Sequence, residues 1–249
     1  MGPVETSAGV IRLAVWSGPR NLSTALMRSW ESRPDTVVID EPLYAHYLKA
    51  TGLDHPGRDE VIDAGQTDWR EVVAALLGPV PDGARVFYQK HMAHHLLPGI
   101  ERGWVGGLTN VLLIRDPREV VASYMRSRAD VTAEDLGLAQ QARLYDELVA
   151  AGPPPPVIDA RDFLLHPESH LRAMCRHVGL DFDARMLAWP SGRRDSDGVW
   201  SRYWYEAVWE STGFADYRPR HPQLHGPAAA VAEECLPLYE RLYEARWVF

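Results

Sequence analysis

The segment from Val111 to Ser123, which reads VLLIRDPREVVAS, contains residues with the chemistry to bind a phosphate. Arg115 can donate parallel hydrogen bonds to a phosphate, and the hydroxyl of Ser123 can donate another. The apolar residues before Arg115 predict a buried strand, and Pro117 suits the first turn of a following helix. We therefore expect Arg115, at the strand tip, and Ser123, inside the helix, to bind one phosphate. The alternative is a surface arginine that caps the sheet and a serine satisfied within its own helix.

A second candidate anion site follows the predicted strand Ile11 to Trp16 and has the sequence SGPRNLST. A strand, a glycine-containing loop and a helix form the general phosphate cradle, because backbone N–H groups and the positive helix end face the anion. The loop is not a Walker A motif, since it lacks the second glycine and the Gly-Lys pair. The loop residues that we expect to bind a phosphate are Gly18, Pro19, Arg20, Asn21, Ser23 and Thr24.

A carboxylate suited to acid–base chemistry follows the predicted strand Thr36 to Asp40. Glu41 stands directly after this strand and before Pro42, so it is a candidate catalytic base at the strand end. The alternative is that Asp40 caps a helix beside a solvated Glu41.

The third predicted strand, Arg85 to Gln89, is followed by Lys90 and His91, which we expect to handle a proton at the strand tip. His91, His94 and His95 also have the helical spacing of a metal site. No HExxH pattern and no nearby carboxylate completes such a site, so the sequence favours proton handling over metal binding.

A basic loop from Ser191 to Trp200 is punctuated by glycine and leads into an aromatic run. Arginine beside aromatic rings suits a stacked purine and its phosphate. The same residues suit a core that closes over the sheet edge, and the sequence does not decide between the two. The candidate nucleotide-binding residues of this loop are Arg193, Arg194, Gly198 and Trp200.

The elements that must position these residues alternate between strand and helix along the chain. Five short apolar runs predict strands, and helical patterns lie between them. This alternation predicts a three-layer α/β fold, in which a parallel sheet of about five strands is flanked by helices. The carboxyl ends of such strands meet at one edge, where parallel sheets bind ligands. No linker divides the chain, so we expect a single domain over residues 1–249.

Composition argues against several classes of function. The net charge of −8 disfavours a nucleic-acid partner, because a nucleic-acid surface needs clustered lysine and arginine. No apolar run approaches the length of a membrane span and no signal-peptide pattern is present, so we expect no membrane partner. The two cysteines, Cys175 and Cys235, indicate reduced thiols. We therefore expect a cytoplasmic protein.

Taken together, these motifs resemble the sulfotransferase family of the bacterial small-molecule type, whose donor is 3′-phosphoadenosine-5′-phosphosulfate (PAPS). Arg115-Asp116-Pro117-Arg118 with Ser123 is similar to the family's 3′-phosphate motif, and Asp159 to Leu164 is similar to the segment after its fifth strand. The resemblance implies a fold like that of the P-loop NTPases. It also implies sulfuryl transfer to a hydroxyl or amine of a small-molecule acceptor, with adenosine 3′,5′-bisphosphate as product and no metal requirement. A homodimer is compatible with it.

The resemblance implies a role for each catalytic candidate. Arg20 and Lys90 neutralise the charge that develops on the bridging oxygen as the bisphosphate leaves. Glu41 or His91 removes the proton of the acceptor, and strand positions alone do not choose between them. We favour Glu41 as base, with Lys90 at the leaving oxygen and His91 orienting the acceptor.

Leu22 departs from the family pattern, because the phosphosulfate loop has glycine at this point. We therefore expect the backbone of the loop to differ, and the late basic loop matches the family only loosely. Two other functions remain open. A nucleotide-dependent kinase of related fold is opposed by the missing Gly-Lys pair. A non-catalytic nucleotide-binding protein is favoured by Leu22.

Overall fold

The computed structural model describes residues 9–80, 84–126, 130–219 and 222–249. Its centre is a sheet of five parallel strands in the spatial order β2-β3-β1-β4-β5. The strands are β1 (Ile11–Ser17), β2 (Thr36–Asp40), β3 (Val86–Met92), β4 (Thr109–Ile114) and β5 (Val157–Asp159). The predicted α/β fold with a five-stranded parallel sheet is therefore confirmed.

Helices cover both faces of the sheet. They are α1 (Ser23–Glu31), α2 (Tyr44–Thr51), α3 (Arg58–Ala64), α4 (Trp69–Leu77), α5 (Pro117–Tyr124), α6 (Ala133–Leu136), α7 (Leu138–Ala151), α8 (Ala160–Leu165), α9 (Pro167–His177), α10 (Ser201–Trp204), α11 (Glu206–Trp209) and α12 (Gly226–Glu244). Short 3₁₀ turns lie at Ala93–His95, Gly103–Gly107 and Ala184–Leu187.

The central strand β1 contributes to a separate core on each face, because successive side chains of a strand point in opposite directions. Leu13 and Val15 belong to a buried cluster that includes Trp30 of α1 and residues of α8 and α9. Ala14 and Trp16 belong to a second cluster, which includes residues of α4 and α7. The sheet is thus buried on both sides, as a three-layer fold requires.

Strand β3 is longer than the sequence predicted, and this changes the position of two site candidates. The strand continues through Met92 rather than ending at Gln89. Its parallel pairing with β1 sets Lys90 beside Val15 and His91 beside Trp16. Because side chains alternate along a strand, Lys90 and His91 point to opposite faces of the sheet. The expectation that both lie at a strand tip is therefore wrong.

Helices α6 and α7 meet at Gly137, whose φ of 70° lies in the left-handed region that glycine favours.

The site lies where the chain connections change direction. Strands β2 and β3 lie on one side of β1, whereas β4 and β5 lie on the other. Such a switch point opens a crevice at the carboxyl ends of the strands. The loops that follow β1, β2 and β4 meet there. Elsewhere, Cys175 and Cys235 are buried and form no disulfide. Across the described residues, no helix has both the length and the apolar character needed to cross a membrane.

Candidate active site

A cavity of about 360 Å³ lies at the carboxyl edge of the sheet. The predicted site residues on its wall are Pro19, Arg20, Asn21, Ser23, Thr24, Glu41, Lys90, Arg115 and Ser123. The predicted residues that are not on its wall are Gly18, His91, Arg193, Arg194, Gly198 and Trp200. The structure therefore brings together the candidates that follow β1, β2 and β4, together with one of the two from β3.

One end of the cavity is cationic. Arg20 Nε donates a hydrogen bond to Ser123 Oγ at 3.1 Å, and Arg126 Nη2 donates to the same oxygen at 3.1 Å. Within the described part of the chain, neither arginine forms an ion pair with a carboxylate. Burial and the nearby charges of Arg126 and Arg115 lower the pKa of Arg20. A bound anion would relieve this repulsion, so the cluster suits a phosphate.

Arg115 also lines this end of the cavity, where it is held by the Arg20 backbone and by Glu119. Its Nη1 donates to the carbonyl oxygen of Arg20 at 2.8 Å. Its Nε and Nη2 donate to one carboxylate oxygen of Glu119, at 3.1 and 2.7 Å. The other oxygen of Glu119 accepts from the hydroxyl of Tyr217 at 3.1 Å. Arg115 is thus fixed beside the loop by a carboxylate that competes with any phosphate.

The loop between β1 and α1 holds residues in an unusual backbone conformation. Arg20 has φ of 56° and Leu22 has φ of 62°, both in the left-handed region. Leu22 therefore adopts a backbone conformation that glycine favours. As N-cap of α1, Leu22 offers no side-chain hydrogen bond. The first N–H groups of the helix, at Ser23 and Thr24, accordingly remain suited to an anion.

Gly18 and Asn21 hold this loop against the backbone of neighbouring segments. A Cβ on Gly18 would collide with the carbonyl oxygen of Leu136, so the glycine permits close approach to α6 instead of contacting a ligand. Asn21 Nδ2 donates to the carbonyl oxygen of Leu113 at 2.5 Å and ties the loop to β4. The predicted phosphate contact of Gly18 is therefore corrected.

Lys90 is fully buried at the centre of a polar cluster. Its Nζ donates to Asp40 Oδ1 at 2.7 Å, to Glu41 Oε1 at 2.6 Å and to the hydroxyl of Tyr205 at 2.7 Å. The Tyr205 hydroxyl in turn donates to Asp40 Oδ2 at 2.6 Å. An ammonium has three hydrogens, so these contacts use all of them. Asp40 and Glu41 are thus buried partners of a lysine, not a helix cap and a solvated carboxylate.

The proton affinities in this cluster follow from burial and charge. Burial raises the pKa of Glu41, although the Lys90 ammonium acts in the opposite direction. Burial acts to lower the pKa of Lys90, but the charges of Asp40 and Glu41 overcome it and hold that pKa well above its usual value. Lys90 therefore stays charged, and Glu41 is a stronger base than an exposed glutamate.

His91 lies outside the cavity, on the other face of the sheet. Its ring stacks on the indole of Trp16, with 4.1 Å between the centroids, and its Nε2 lies 3.3 Å from Gln89 Oε1. Burial lowers the pKa of His91 to about 3, so the ring is neutral at physiological pH. The predicted roles of His91, as base or as a group that orients the acceptor, are therefore corrected.

The late basic loop packs against the protein instead of lining the cavity. The guanidinium of Arg193 lies over the ring of Trp209, 4.3 Å from its centroid. The backbone N–H of Arg194 donates to Asp197 at 3.0 Å, and Asp197 pairs with the buried Arg28 of α1 at 2.5 Å. The Arg193 side chain thus packs on α11, the backbone of Arg194 is tied to α1 through Asp197, and neither residue lines the cavity as the predicted nucleotide contacts required.

Trp200 and Gly198 stand behind the cavity wall. The indole of Trp200 meets the ring of Tyr44 edge-on, with 5.3 Å between centroids, and its Nε1 donates to the Tyr205 hydroxyl at 3.4 Å. A Cβ on Gly198 would collide with the Trp200 ring. Of the two interpretations of this loop, closure over the sheet edge is the one that the structure supports.

Neutral rings form the remaining wall. Tyr44 and His95 stack with 4.7 Å between their centroids, and His94 lies beside His95 at 4.4 Å. Burial lowers the pKa of His94 to about 4 and lowers that of His95 as well. Within the described residues, no group of three or more histidine, cysteine, aspartate or glutamate side chains is placed to hold a metal ion.

The family is decided by comparison with known domains. A sequence model described as a sulfotransferase domain matches residues 11–246. The chain belongs to the sulfotransferase domain family. It is also 36% identical over 231 residues to branched-chain-amino-acid aminotransferase-like protein 2 of Arabidopsis thaliana, and 38% identical over 231 residues to protein 1 of the same name. These matches cover 91% of this chain but only 40% of each relative.

Solved structures of other sulfotransferase domains share the fold. A sulfotransferase domain from the curacin biosynthetic pathway aligns with a TM-score of 0.51 and 14% identity, over 92% of this chain and 98% of that one. A sulfotransferase from Alicyclobacillus acidocaldarius aligns with a TM-score of 0.52 and 16% identity, over 70% and 83%. These similarities agree with the P-loop-like sulfotransferase fold that the sequence resemblance implied.

Three residues that the sequence analysis did not select contact the predicted ones in or beside the cavity: Asp40, Arg126 and Tyr205. Arg126 was detectable, because it lies only three residues after Ser123, in the turn that follows α5. Asp40 was interpreted as a cap, since nothing local marks it as a partner of Lys90. Tyr205 belongs to the aromatic run, but only the folded late segment brings its hydroxyl to Lys90.

Proposed function

We propose that this protein transfers the sulfuryl group of PAPS to a hydroxyl or amine of a small-molecule acceptor. One observation carries the proposal. The guanidiniums of Arg20 and Arg126, which pair with no carboxylate among the described residues, converge on Ser123 at one end of the cavity. The Lys90–Glu41 pair lies in the same cavity. An anion site and a buried base in one crevice suit transfer from an anionic donor.

The residues at the cationic end fit the phosphates of such a donor. Arg115 and Ser123 would hold the 3′-phosphate, and the loop from Arg20 to Thr24 with the α1 N-terminus would hold the 5′-phosphosulfate. The fit is supported by the convergence of Arg20 and Arg126 on Ser123, and by the absence of a carboxylate partner for Arg20 in the described structure. When bound, PAPS supplies an activated sulfuryl group and a phosphate leaving group.

Arg20, rather than Lys90, is placed to stabilise the leaving oxygen. The ammonium hydrogens of Lys90 are all committed to Asp40, Glu41 and Tyr205. We therefore propose that Lys90 keeps Glu41 ionised. Arg20 then neutralises the charge that develops at the bridging oxygen. This differs from the role for Lys90 that the sequence resemblance implied.

Glu41 is the base in this proposal. Its carboxylate lines the cavity, and burial raises its pKa toward the range useful for proton transfer. It accepts the proton of the acceptor hydroxyl or amine as the new bond to sulfur forms. The rings of Tyr44 and His95 lie on the same wall of the cavity.

The acceptor side of the cavity favours an uncharged molecule. Lys90 carries one positive charge against the two carboxylates of Asp40 and Glu41, and the imidazoles of His94 and His95 are neutral. An acceptor that brought an anionic group against Asp40 and Glu41 would meet excess negative charge there.

The residues of this cavity do not fit the aminotransferase chemistry that appears in the name of the Arabidopsis relatives. A pyridoxal-dependent aminotransferase needs a lysine amine that forms a Schiff base with its cofactor. The chain has two lysines, Lys49 and Lys90. Lys49 lies outside the cavity, with its Nζ on Thr67, and Lys90 is held as a cation between carboxylates. The residues present do not fit that cofactor.

Calorimetric titration tests the donor. We expect adenosine 3′,5′-bisphosphate to bind in the absence of divalent metal, and to bind more tightly than ATP with Mg²⁺. The reverse order would favour a kinase. Turnover of labelled PAPS with a pool of hydroxyl and amine metabolites then tests catalysis, and binding without transfer of label would favour a non-catalytic protein.

A further inference from the structure

The cluster around Lys90 contains two buried residues, Asp40 and Tyr205, to which the mechanism assigns no step. The Tyr205 hydroxyl is both an acceptor from Lys90, at 2.7 Å, and a donor to Asp40 Oδ2, at 2.6 Å. Asp40 Oδ1 accepts from Lys90 at 2.7 Å, which closes a triangle of three polar groups. Glu41 joins this triangle through Lys90, at 2.6 Å, and hydrogen bonding from Tyr205 also acts to lower the pKa of Glu41.

The backbone makes this convergence possible. Successive residues of an extended strand point to opposite sides, yet Asp40 and Glu41 both reach the Lys90 ammonium. Glu41 has φ of 42°, in the left-handed region that residues with a side chain rarely adopt. Its N–H donates to the carbonyl oxygen of Lys90 at 2.9 Å. The strained conformation is thus held in place by β3 and turns the Glu41 carboxylate toward the cavity.

Because the cluster is buried and charged, the position of the Lys90 ammonium affects the proton affinities of both carboxylates. Two carboxylates share one buried cation, so a small shift of Lys90 toward either one changes the proton affinity of the other. The Tyr205 hydroxyl occupies Asp40 Oδ2 and so prevents Asp40 from taking Lys90 with both oxygens. Tyr205 lies between α10 and α11. Its hydroxyl therefore connects this part of the chain to Lys90 and, through Lys90, to Glu41.

We propose that Asp40 and Tyr205 are positioning residues that hold the Lys90 ammonium against Glu41 and balance it between the two carboxylates. The inference rests on the proposed function, in which Glu41 is the base. Other titratable or charged groups stand around this end of the cavity and remain unchanged in the test. They are Arg20, Tyr44, His55, His94, His95 and Tyr124.

The test measures the protonation of Glu41 directly and needs no acceptor. In protein labelled with ¹³C at the glutamate carboxyl carbons, the Glu41 signal is assigned by its loss in Glu41→Gln and followed against pH. The variants are Asp40→Asn and Tyr205→Phe, which keep the shapes of the side chains. The matched control is Tyr203→Phe, because Tyr203 lies on α10 but is exposed and absent from the cavity wall.

The two variants should move the pKa of Glu41 in opposite directions. Asp40→Asn removes the negative charge that raises this pKa and leaves Lys90 to Glu41, so the pKa falls by about half a unit or more. Tyr205→Phe frees Asp40 Oδ2 to draw Lys90 away, so the pKa rises. Tyr203→Phe should change nothing. A purely structural role would not produce opposite signs.

Unchanged titration in both variants, or shifts of the same sign, would overturn the positioning role. Donor binding is measured on the same proteins with adenosine 3′,5′-bisphosphate. If the wild-type protein does not bind it, the proposed function fails, whereas the carboxyl titration still decides by itself whether Asp40 and Tyr205 position Lys90.

Discussion

Arg20 Nε donates a hydrogen bond to Ser123 Oγ at 3.1 Å across the crevice between β1 and β4. The contact joins the loop after the first strand to the helix after the fourth. It therefore brings together, at one end of the cavity, two segments that each resembled a phosphate motif in the sequence. The predictions below depend on this shared site and on the neighbouring base.

Removal of Arg115 should weaken binding of the bisphosphate selectively. Arg115→Ala removes a charge that Arg20 and Glu119 hold beside the loop, so the loss should be about 2 kcal/mol, or roughly 30-fold in Kd. Calorimetry with adenosine 3′,5′-bisphosphate and with adenosine 5′-phosphate checks the assignment. Equal weakening of both nucleotides would show that Arg115 does not bind the 3′-phosphate.

Neutralisation of Glu119 should tighten the same interaction. Glu119 accepts two hydrogen bonds from Arg115, so Glu119→Gln leaves that guanidinium more available to a phosphate and should strengthen bisphosphate binding about fivefold. The matched control is Asp116→Asn. Asp116 pairs with the exposed Arg118 and caps α5, a role that asparagine performs equally well. A similar gain in both variants would assign the effect to net charge alone.

The pH dependence of turnover should follow the protonation of the Glu41 carboxylate. Burial raises the pKa of this group, and the base is lost as falling pH protonates it. The acid limb of kcat/KM should therefore lie above the ordinary pKa of glutamate, which is about 4.3. Glu41→Gln should lose about a hundredfold or more in single-turnover transfer while bisphosphate binding persists. Near-normal transfer by this variant would remove Glu41 as the base.

Replacement of His91 should affect stability but not chemistry. His91→Asn removes a buried ring that stacks on Trp16 and should destabilise the protein by about 2 kcal/mol. Thermal unfolding measures this cost, and kcat/KM per folded molecule should stay close to that of the wild type. A hundredfold loss of single-turnover transfer in a folded variant would restore His91 to the catalytic site.

The strands, and the meeting of the loops that follow β1 and β4, were predictable because their signals are local. Two local patterns predict where a strand ends: the apolar run before Arg115 and the glycine-containing loop after β1. Parallel strands bring such ends to one edge of the sheet. The position of His91 was not predictable in this way. It depends on where β3 ends, and pairing with β1 carries that strand through Met92, beyond the polar residues at which the sequence pattern stops.

The contacts around Lys90 and the late loop depend on long-range packing. Arg193 and Arg194 have the residue type of phosphate ligands, so the sequence predicted a phosphate contact. The sequence cannot show that Asp197 and Trp209 contact this loop in the folded chain. Tyr205 is far from Lys90 along the chain, so no spacing rule connects them. Only the folded late segment delivers its hydroxyl to the cluster.

The most direct test of the account is calorimetric titration of the wild-type protein in EDTA with adenosine 3′,5′-bisphosphate and adenosine 5′-phosphate. The guanidiniums of Arg20, Arg115 and Arg126 supply the positive charge, so binding should survive metal removal. We predict that the bisphosphate binds about tenfold or more tightly than the monophosphate, as expected for one additional charge-assisted phosphate site. Equal affinity for the two nucleotides, or binding only with added Mg²⁺, would contradict it.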